Sequence, residues 1–208
     1  MPADDRPETE RTIADVTGAL RHDPEAFSRL FARFAPRLRL LVEARLGRHL
    51  RRRIAADDIL QVTFLEAFRT LDRFEDRGPG SFYRWLGYLA KQRVIDAARH
   101  HGAAYQDMRR DLTAEGGEGE RGALLRQLAA SVSTPSGRAE VTELRTRIAE
   151  ALHELPDVHR NVLIQHDLEK RTYEEIGRDL GKSKAWVCGK RAEALALLKG
   201  RLEGVYAA

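Results

Sequence analysis

Thr172-Tyr173-Glu174-Glu175-Ile176-Gly177-Arg178-Asp179-Leu180-Gly181-Lys182-Ser183 is the stretch whose local chemistry decides the architecture. Thr172 and Glu175 have the spacing of a capping box, in which a hydroxyl and a carboxylate each satisfy an otherwise orphaned backbone N–H. Ile176 and Leu180 then share one helical face and are expected to meet a core. Gly177 lets another helix approach closely, Gly181 supplies the left-handed backbone of a tight turn, and Ser183 caps a second helix through Val187, Leu195 and Leu198. The product is a helix-turn-helix. In such a motif the second helix enters the major groove, its first turns nearest the bases and its capping N–H groups near phosphate. Thr172, Ser183, Lys184, Trp186, Lys190 and Arg191 are therefore candidate contacts, although a tryptophan beside Val187 is equally suited to covering the core.

Helical order extends upstream of the motif. Val141, Leu144, Ile148, Leu152 and Leu155 recur at spacings of three and four up to Pro156, which is tolerated at the first position of a following helix. There Val158, Val162 and Leu163 are expected to pack inward before a polar break at Glu169-Lys170-Arg171. Residues 102–140 carry no sustained pattern, and Gly116-Gly117-Glu118-Gly119-Glu120 and Thr134-Pro135-Ser136-Gly137 mark them as a linker. Leu124–Ala130 has the length of a marginal helical turn or two.

The first half repeats the helical pattern. Asp23 caps and Pro24 opens a helix with Phe27, Leu30, Phe31 and Phe34 on one face; Pro36 is expected to kink or restart it before Leu38, Leu41, Val42 and Leu46. After a basic connection, Arg48 to Arg53, Asp57-Asp58 opens a helix lined by Leu60, Phe64, Ala67, Phe68 and Leu71. Phe74 to Gly80 reads as a loop, and Ser81 caps a helix whose apolar face holds Phe82, Trp85, Leu86 and Leu89. Residues 1–20 are acidic and weakly patterned, which predicts a frayed arm. No β-alternation of useful length occurs. The expected class is all-α: two small helical domains, 21–101 and 141–208, joined by a flexible linker at 102–140.

The formal net charge of +4 is unevenly spread: residues 21–101 carry +7 and residues 1–20 carry −3. A basic half suits a polyanion, because neutralised phosphates release condensed counterions. The single cysteine, Cys188, excludes an internal disulfide framework and a cysteine-rich zinc site, and suits a reducing compartment such as the cytoplasm. Met1-Pro2-Ala3-Asp4-Asp5 is acidic where a secretory signal is basic, and no stretch approaches the ~18 apolar residues of a membrane span. The seven histidines sit on or beside charged helices, and His153, His159 and His166 lack one-face ligand spacing. No catalytic residue, metal site or cofactor is expected.

Asp57-Asp58-Ile59-Leu60-Gln61-Val62-Thr63-Phe64-Leu65-Glu66-Ala67-Phe68 resembles the signature of extracytoplasmic-function (ECF) sigma factors of bacterial RNA polymerase. Ser81 to Leu86, Leu89-Ala90-Lys91-Gln92 and Asp96-Ala97-Ala98-Arg99 resemble the next family helix, with Gln92 where asparagine is usual, and Leu155-Pro156 and Tyr173-Glu174-Glu175-Ile176 are similar to the second domain. The resemblance spans about 25–100 and 141–200. It implies that 21–101 binds core polymerase and melts the minus-ten promoter element, while 141–208 reads the minus-thirty-five element as duplex.

By the same resemblance, Asp57, Asp58 and Gln61 dock on a coiled coil of the largest polymerase subunit. Arg77, Ser81, Arg84, Lys91, Gln92, Arg93 and Arg99 meet the minus-ten element and its melted non-template strand, where stacking and edge hydrogen bonds repay the few kcal/mol of unstacking. The linker threads the polymerase channels, and an anti-sigma protein is the expected regulator. Gly189 and Glu193 stand where related recognition helices often carry basic residues, Lys190 where an apolar one is common, and Val62 where glutamate is usual. These departures imply weaker minus-thirty-five affinity and greater reliance on the first domain.

Two other classes compete with this reading. A stand-alone helix-turn-helix regulator would bind duplex tightly without polymerase, and a sigma-like adaptor or anti-sigma protein would keep the fold without reading promoters.

Overall fold

The computed structural model describes residues 8–100 and 135–206. The elements are α1 (Glu8–Leu20), α2 (Pro24–Arg45), α3 (Arg48–Arg51), α4 (Ala56–Arg69), a short 3-10 turn (Leu71–Arg73), α5 (Ser81–His100), α6 (Pro135–His153), α7 (Asp157–Leu163) running into a π-helical turn (Ile164–Leu168), α8 (Tyr173–Leu180) and α9 (Lys184–Tyr206). No strand occurs among the described residues. The linker expected at 102–140 lies outside them up to residue 134, and helix resumes at Pro135, six residues before the expected Val141.

Residues 8–20 form a helix, whereas their acidic, weakly patterned sequence predicts a frayed arm. Val16 and Ala19 are buried against α2. The Asp15 carboxylate accepts from Arg29 Nε at 2.7 Å and from Arg33 Nη2 at 2.6 Å, so acidity that reads as solvated in isolation is neutralised by the next helix.

Helix α2 begins as its sequence predicts. The Asp23 side chain accepts the Glu25 N–H at 2.9 Å, and Pro24 takes the first position, where no intrahelical bond is lost. Pro36 does not end it. The helix runs on to Arg45, because Phe34 on one side of the proline and Leu38 and Leu41 on the other are all buried in the same core.

Helices α2, α4 and α5 pack together through Leu30, Phe34, Leu38, Leu60, Phe64, Phe82, Leu86 and Val94. Phe82 is core, with Phe74 edge-on at 5.2 Å and Trp85 half-buried beside both. Four residues expected inside lie outside: Phe31, Phe68 and Val158 are exposed, and Leu180 is partly so.

The two domains are not separate bodies here. One contiguous core includes Leu41 of α2, Ile148 and Leu152 of α6, Ile164 and Leu168 of the π turn, and Ala194 and Leu198 of α9. Helix α2 is the seam. Arg45 donates to Glu169 through Nε at 2.9 Å and Nη2 at 2.6 Å, with side chains only 4% and 10% exposed. Nearby, Arg145 Nε meets Glu43 at 3.3 Å, and His153 Nε2 donates to the Glu43 carbonyl at 3.0 Å.

Candidate nucleic-acid and docking surfaces

The helix-turn-helix has the predicted joints. Glu175 N–H donates to Thr172 Oγ1 at 3.2 Å, and Glu175 Oε2 accepts the Thr172 N–H at 2.8 Å, closing the capping box. Gly181 is left-handed at φ 63°, and a Cβ on Gly177 would lie 2.6 Å from the Lys182 carbonyl oxygen, so the turn folds back over a position that only glycine fits. Ser183 Oγ accepts the Trp186 N–H at 3.2 Å, capping α9. Thr172 and Ser183 are thus both committed to helix starts. Trp186 is half-buried against Val162, Ile176 and Val187, with the Lys182 ammonium 5.7 Å from its ring centroid, so one face covers the small core and the rest stays accessible.

The three cations of α9 expected at DNA, Lys184, Lys190 and Arg191, each meet an acid within the chain. Lys184 Nζ lies 2.6 Å from Glu174 Oε1, a pair exposed at both ends (64% and 51%). Lys190 Nζ lies 2.5 Å from Glu193 Oε2, which His159 Nε2 also approaches at 3.0 Å. Arg191 forms a bidentate pair with Asp167, Nη2 to Oδ1 at 2.7 Å and Nε to Oδ2 at 2.9 Å, and donates through Nη1 to the Tyr173 hydroxyl at 3.3 Å. The carboxylate raises the guanidinium pKa, chiefly through these hydrogen bonds.

Beneath α8 and α9 lies a polar layer that sequence periodicity did not reveal. All five residues of the π turn are buried, among them Gln165, His166 and Asp167, and Arg171 is buried against them. Arg171 donates through Nη1 to Gln165 Oε1 at 2.5 Å and through Nη2 to Asp179. His166 Nδ1 donates to the Arg171 carbonyl at 2.8 Å, and its ring stacks on Tyr173 at 4.2 Å. Burial is the largest influence on His166 and holds its pKa below the ordinary imidazole value, with Arg191 and Lys170 adding to the shift and Asp167 opposing it.

A depressed histidine pKa contributes stability that is full above the unfolded value of about 6.5 and lost as pH falls through the folded one. Thermal melts from pH 7.5 down to pH 5 should therefore show falling stability that His166→Gln flattens. An equally steep fall in the variant would place the titration elsewhere.

On α4, Asp57 pairs with Arg39, while Asp58 and Gln61 are exposed. Gln61 begins a stripe that the signature alone did not single out: Val62, Leu65 and Phe68 are 46%, 48% and 47% exposed at successive helical turns. The exposed ring of Phe31 on α2 lies 4.4 Å from that of Phe64, and Phe68 meets Phe27 edge-on at 5.0 Å. Helix α4 thus presents a polar first turn followed by an apolar ridge.

Before α5, Asp76 Oδ1 accepts both the Gly78 N–H at 3.0 Å and the Ser81 hydroxyl at 2.6 Å, and Gly78 and Gly80 adopt φ of 100° and 78°. Ser81 is buried as the anchor of this loop. Arg77 projects from it and pairs with exposed Glu75 at 3.0 Å. Along α5, Arg84, Lys91, Gln92 and Arg99 fall within about a quarter turn of one another at 3.6 residues per turn, whereas Arg93 lies about half a turn from Arg84. Asp96 bridges the two groups, 3.5 Å from Arg93 and 3.7 Å from Arg99.

Residues 30–104 match Sigma-70 region 2, and residues 151–199 match Sigma-70 region 4. RNA polymerase sigma factor CarQ of Myxococcus xanthus is 35% identical over 185 residues, covering 86% of this chain and 92% of its own length. The ECF RNA polymerase sigma-E factor of Haemophilus influenzae is 28% identical over 157 residues, 74% of this chain and 75% of that protein. Among solved structures, CnrH in complex with the cytosolic domain of CnrY shares the fold with a TM-score of 0.50 at 20% identity, over 93% of this chain and 98% of that one.

Two helical units on one chain, the first matching region 2 and the second presenting a region 4 helix-turn-helix, are the makings of a sigma-70-class transcription subunit. The chain belongs to the ECF sigma factors of bacterial RNA polymerase, and it directs transcription initiation with core polymerase and promoter DNA as its partners. Sigma factors as a class are not enzymes. Among the described residues no helix is long and apolar enough to cross a membrane.

Proposed function

We propose that this sigma factor acts in the cytoplasm and docks on a coiled coil of the largest polymerase subunit through α4. Asp58 and Gln61 provide the polar contacts, and Val62, Leu65 and Phe68 provide the apolar ridge. The observation that carries the reading is this ridge: three large apolar side chains in register on one exposed helix face, next to an acid and an amide, have the anatomy of an interface core with a polar rim. Asp57, already tied to Arg39, helps to fix the helix start.

The loop from Phe74 to Gly80 and the α5 face bearing Arg84, Lys91, Gln92 and Arg99 meet the melted minus-ten strand, with Arg77 at the loop tip and Arg93 on the flank. Ser81 acts by shaping that loop. At the minus-thirty-five element, Lys184 and Lys190 reach phosphate while Trp186 lies along the groove wall. The acid partner of Lys184 is exposed, and a solvated, screened pair of this kind contributes little, so a phosphate displaces it readily. An anti-sigma protein holds the factor silent; the family resemblance supports this, as does the capture of CnrH in a complex with another protein.

Run-off transcription with purified core enzyme over a promoter library tests the proposal. The expected result is initiation at a discrete promoter class only when this chain is present, with co-elution of chain and core. Tight duplex binding by the chain alone, with no effect on core, would instead make it a stand-alone regulator.

A further inference from the structure

We propose that Arg191 is a positioning residue of the recognition helix, anchored by Asp167, and that it does not contact promoter phosphate. The inference deepens the reading of α9 as the minus-thirty-five reader and rests on it.

Helical register places Arg191 inside the buried stripe of α9. Val187, Arg191, Ala194 and Leu198 follow at spacings of four, three and four, and the other three are all buried. The guanidinium therefore leaves the helix on the side facing the domain. There it uses donors on all three of its nitrogens: two on the Asp167 carboxylate and one on the Tyr173 hydroxyl. Asp167 belongs to the helix preceding the motif and Tyr173 is the first residue of α8, so this one side chain ties the second and third turns of α9 to both neighbouring elements.

Burial decides what such a cation can do when DNA arrives. Asp167 is only 5% exposed, and moving Arg191 to a phosphate would strand that carboxylate in a protein interior, where an unpaired charge is far more costly than one phosphate contact returns. Lys184 faces no such penalty, because Glu174 is returned to water when the pair opens, and Glu193 beside Lys190 is also solvated. Tyr173 is itself held by the stacked His166, whose Nδ1 is fixed by the Arg171 carbonyl. The anchor is thus rigid on both sides. Its consequence is orientation: α9 is held at one angle to α8, and the first turn of α9 carries Lys184 and Trp186 at that angle.

The two roles are separable by salt. Each phosphate contact contributes about −0.9 to the slope of log affinity against log salt, and removing one cation that makes such a contact should reduce the slope by about that amount. Holoenzyme would be assembled from core polymerase and the full chain carrying Lys184→Gln, Lys190→Gln, Arg191→Leu, Asp167→Asn or the pair Arg191→Met with Asp167→Leu. Affinity for a promoter bearing both elements would be measured from about 50 to 200 mM salt, with footprints at each element.

The two lysine variants should each flatten the slope. Arg191→Leu and Asp167→Asn should each weaken binding about tenfold or more at every salt, as expected when a helix loses its alignment with the bases, with parental slope and with minus-thirty-five protection lost before minus-ten protection. The paired apolar replacement should recover most of the loss, since it restores packing without a stranded charge, and it keeps the test open if a single variant folds poorly.

The proposal is overturned if Arg191→Leu flattens the slope as the lysine variants do, or if Asp167→Asn tightens binding by freeing the guanidinium. If both lysine variants are silent and the parent gives no minus-thirty-five footprint, α9 does not read DNA and the positioning role falls with that reading.

Discussion

Replacing Leu65 by lysine should abolish retention of the chain on core polymerase and leave its helix content unchanged. Leu65 is the middle of the apolar ridge on α4, with Val62 one turn before and Phe68 one turn after, and about half of its surface is exposed. Folding therefore gains little from it, and a surface lysine on a helix costs little stability. At a docked interface the same ammonium would be buried without a counter-charge. Central interface side chains commonly cost about 2 kcal/mol or more on truncation, and a buried unpaired charge costs more, so the affinity loss should exceed about thirtyfold. Asp58→Arg combined with Gln61→Ala should act in the same direction through the polar rim. Gel filtration with core enzyme, with circular dichroism as the folding control, reads both effects. Co-elution of the Leu65→Lys protein at parental concentrations would remove α4 from the docking surface.

How much of this surface could be read in the sequence depends on how local its physics is. The capping box at Thr172 and Glu175, the left-handed Gly181 and the Ser183 cap each need only a few neighbouring residues, and all three appear as expected. The signature around Asp57 and Gln61 was visible as well, but the exposed side of the same helix was not. Periodicity grouped Phe68 with Leu60 and Phe64 because all are apolar, and it does not say which apolar residues a partner, rather than the core, will cover.

The remaining differences are long-range or masked by charge. Helix α1 was hidden because Asp15 reads as solvated until Arg29 and Arg33 are placed against it, although Ile13, Val16 and Ala19 already have helical spacing. Arg191 reads as one more basic residue on a recognition helix. Its place in the Val187, Ala194 and Leu198 stripe was available from register, but the acid that makes burial tolerable is 24 residues upstream in a π turn that no local propensity announces. Arg45 and Glu169 are 124 residues apart, and neither looks unusual in its own neighbourhood.

That last pair carries the second large effect. Glu169→Ala should destabilise the whole described fold by about 3–5 kcal/mol, because it leaves the Arg45 guanidinium, only 4% exposed, without its carboxylate at the seam between the two domains. For a chain of this size each kcal/mol shifts the melting temperature by about 2–4 °C, so the midpoint should fall by about 10 °C. Arg147→Ala is the control: its partner Glu143 is exposed, and a solvated pair contributes about 0–1 kcal/mol. Arg45→Met with Glu169→Leu should return stability to the parental value or above it, since an apolar pair of similar volume escapes the desolvation penalty altogether. Calorimetry on the same proteins addresses cooperativity. The core runs without interruption from Leu30 of α2 to Leu198 of α9, so the parent should melt in one transition rather than as two modules. Two parental transitions, or a Glu169→Ala midpoint no lower than that of Arg147→Ala, would mean that the seam contributes little and that each domain is stable alone.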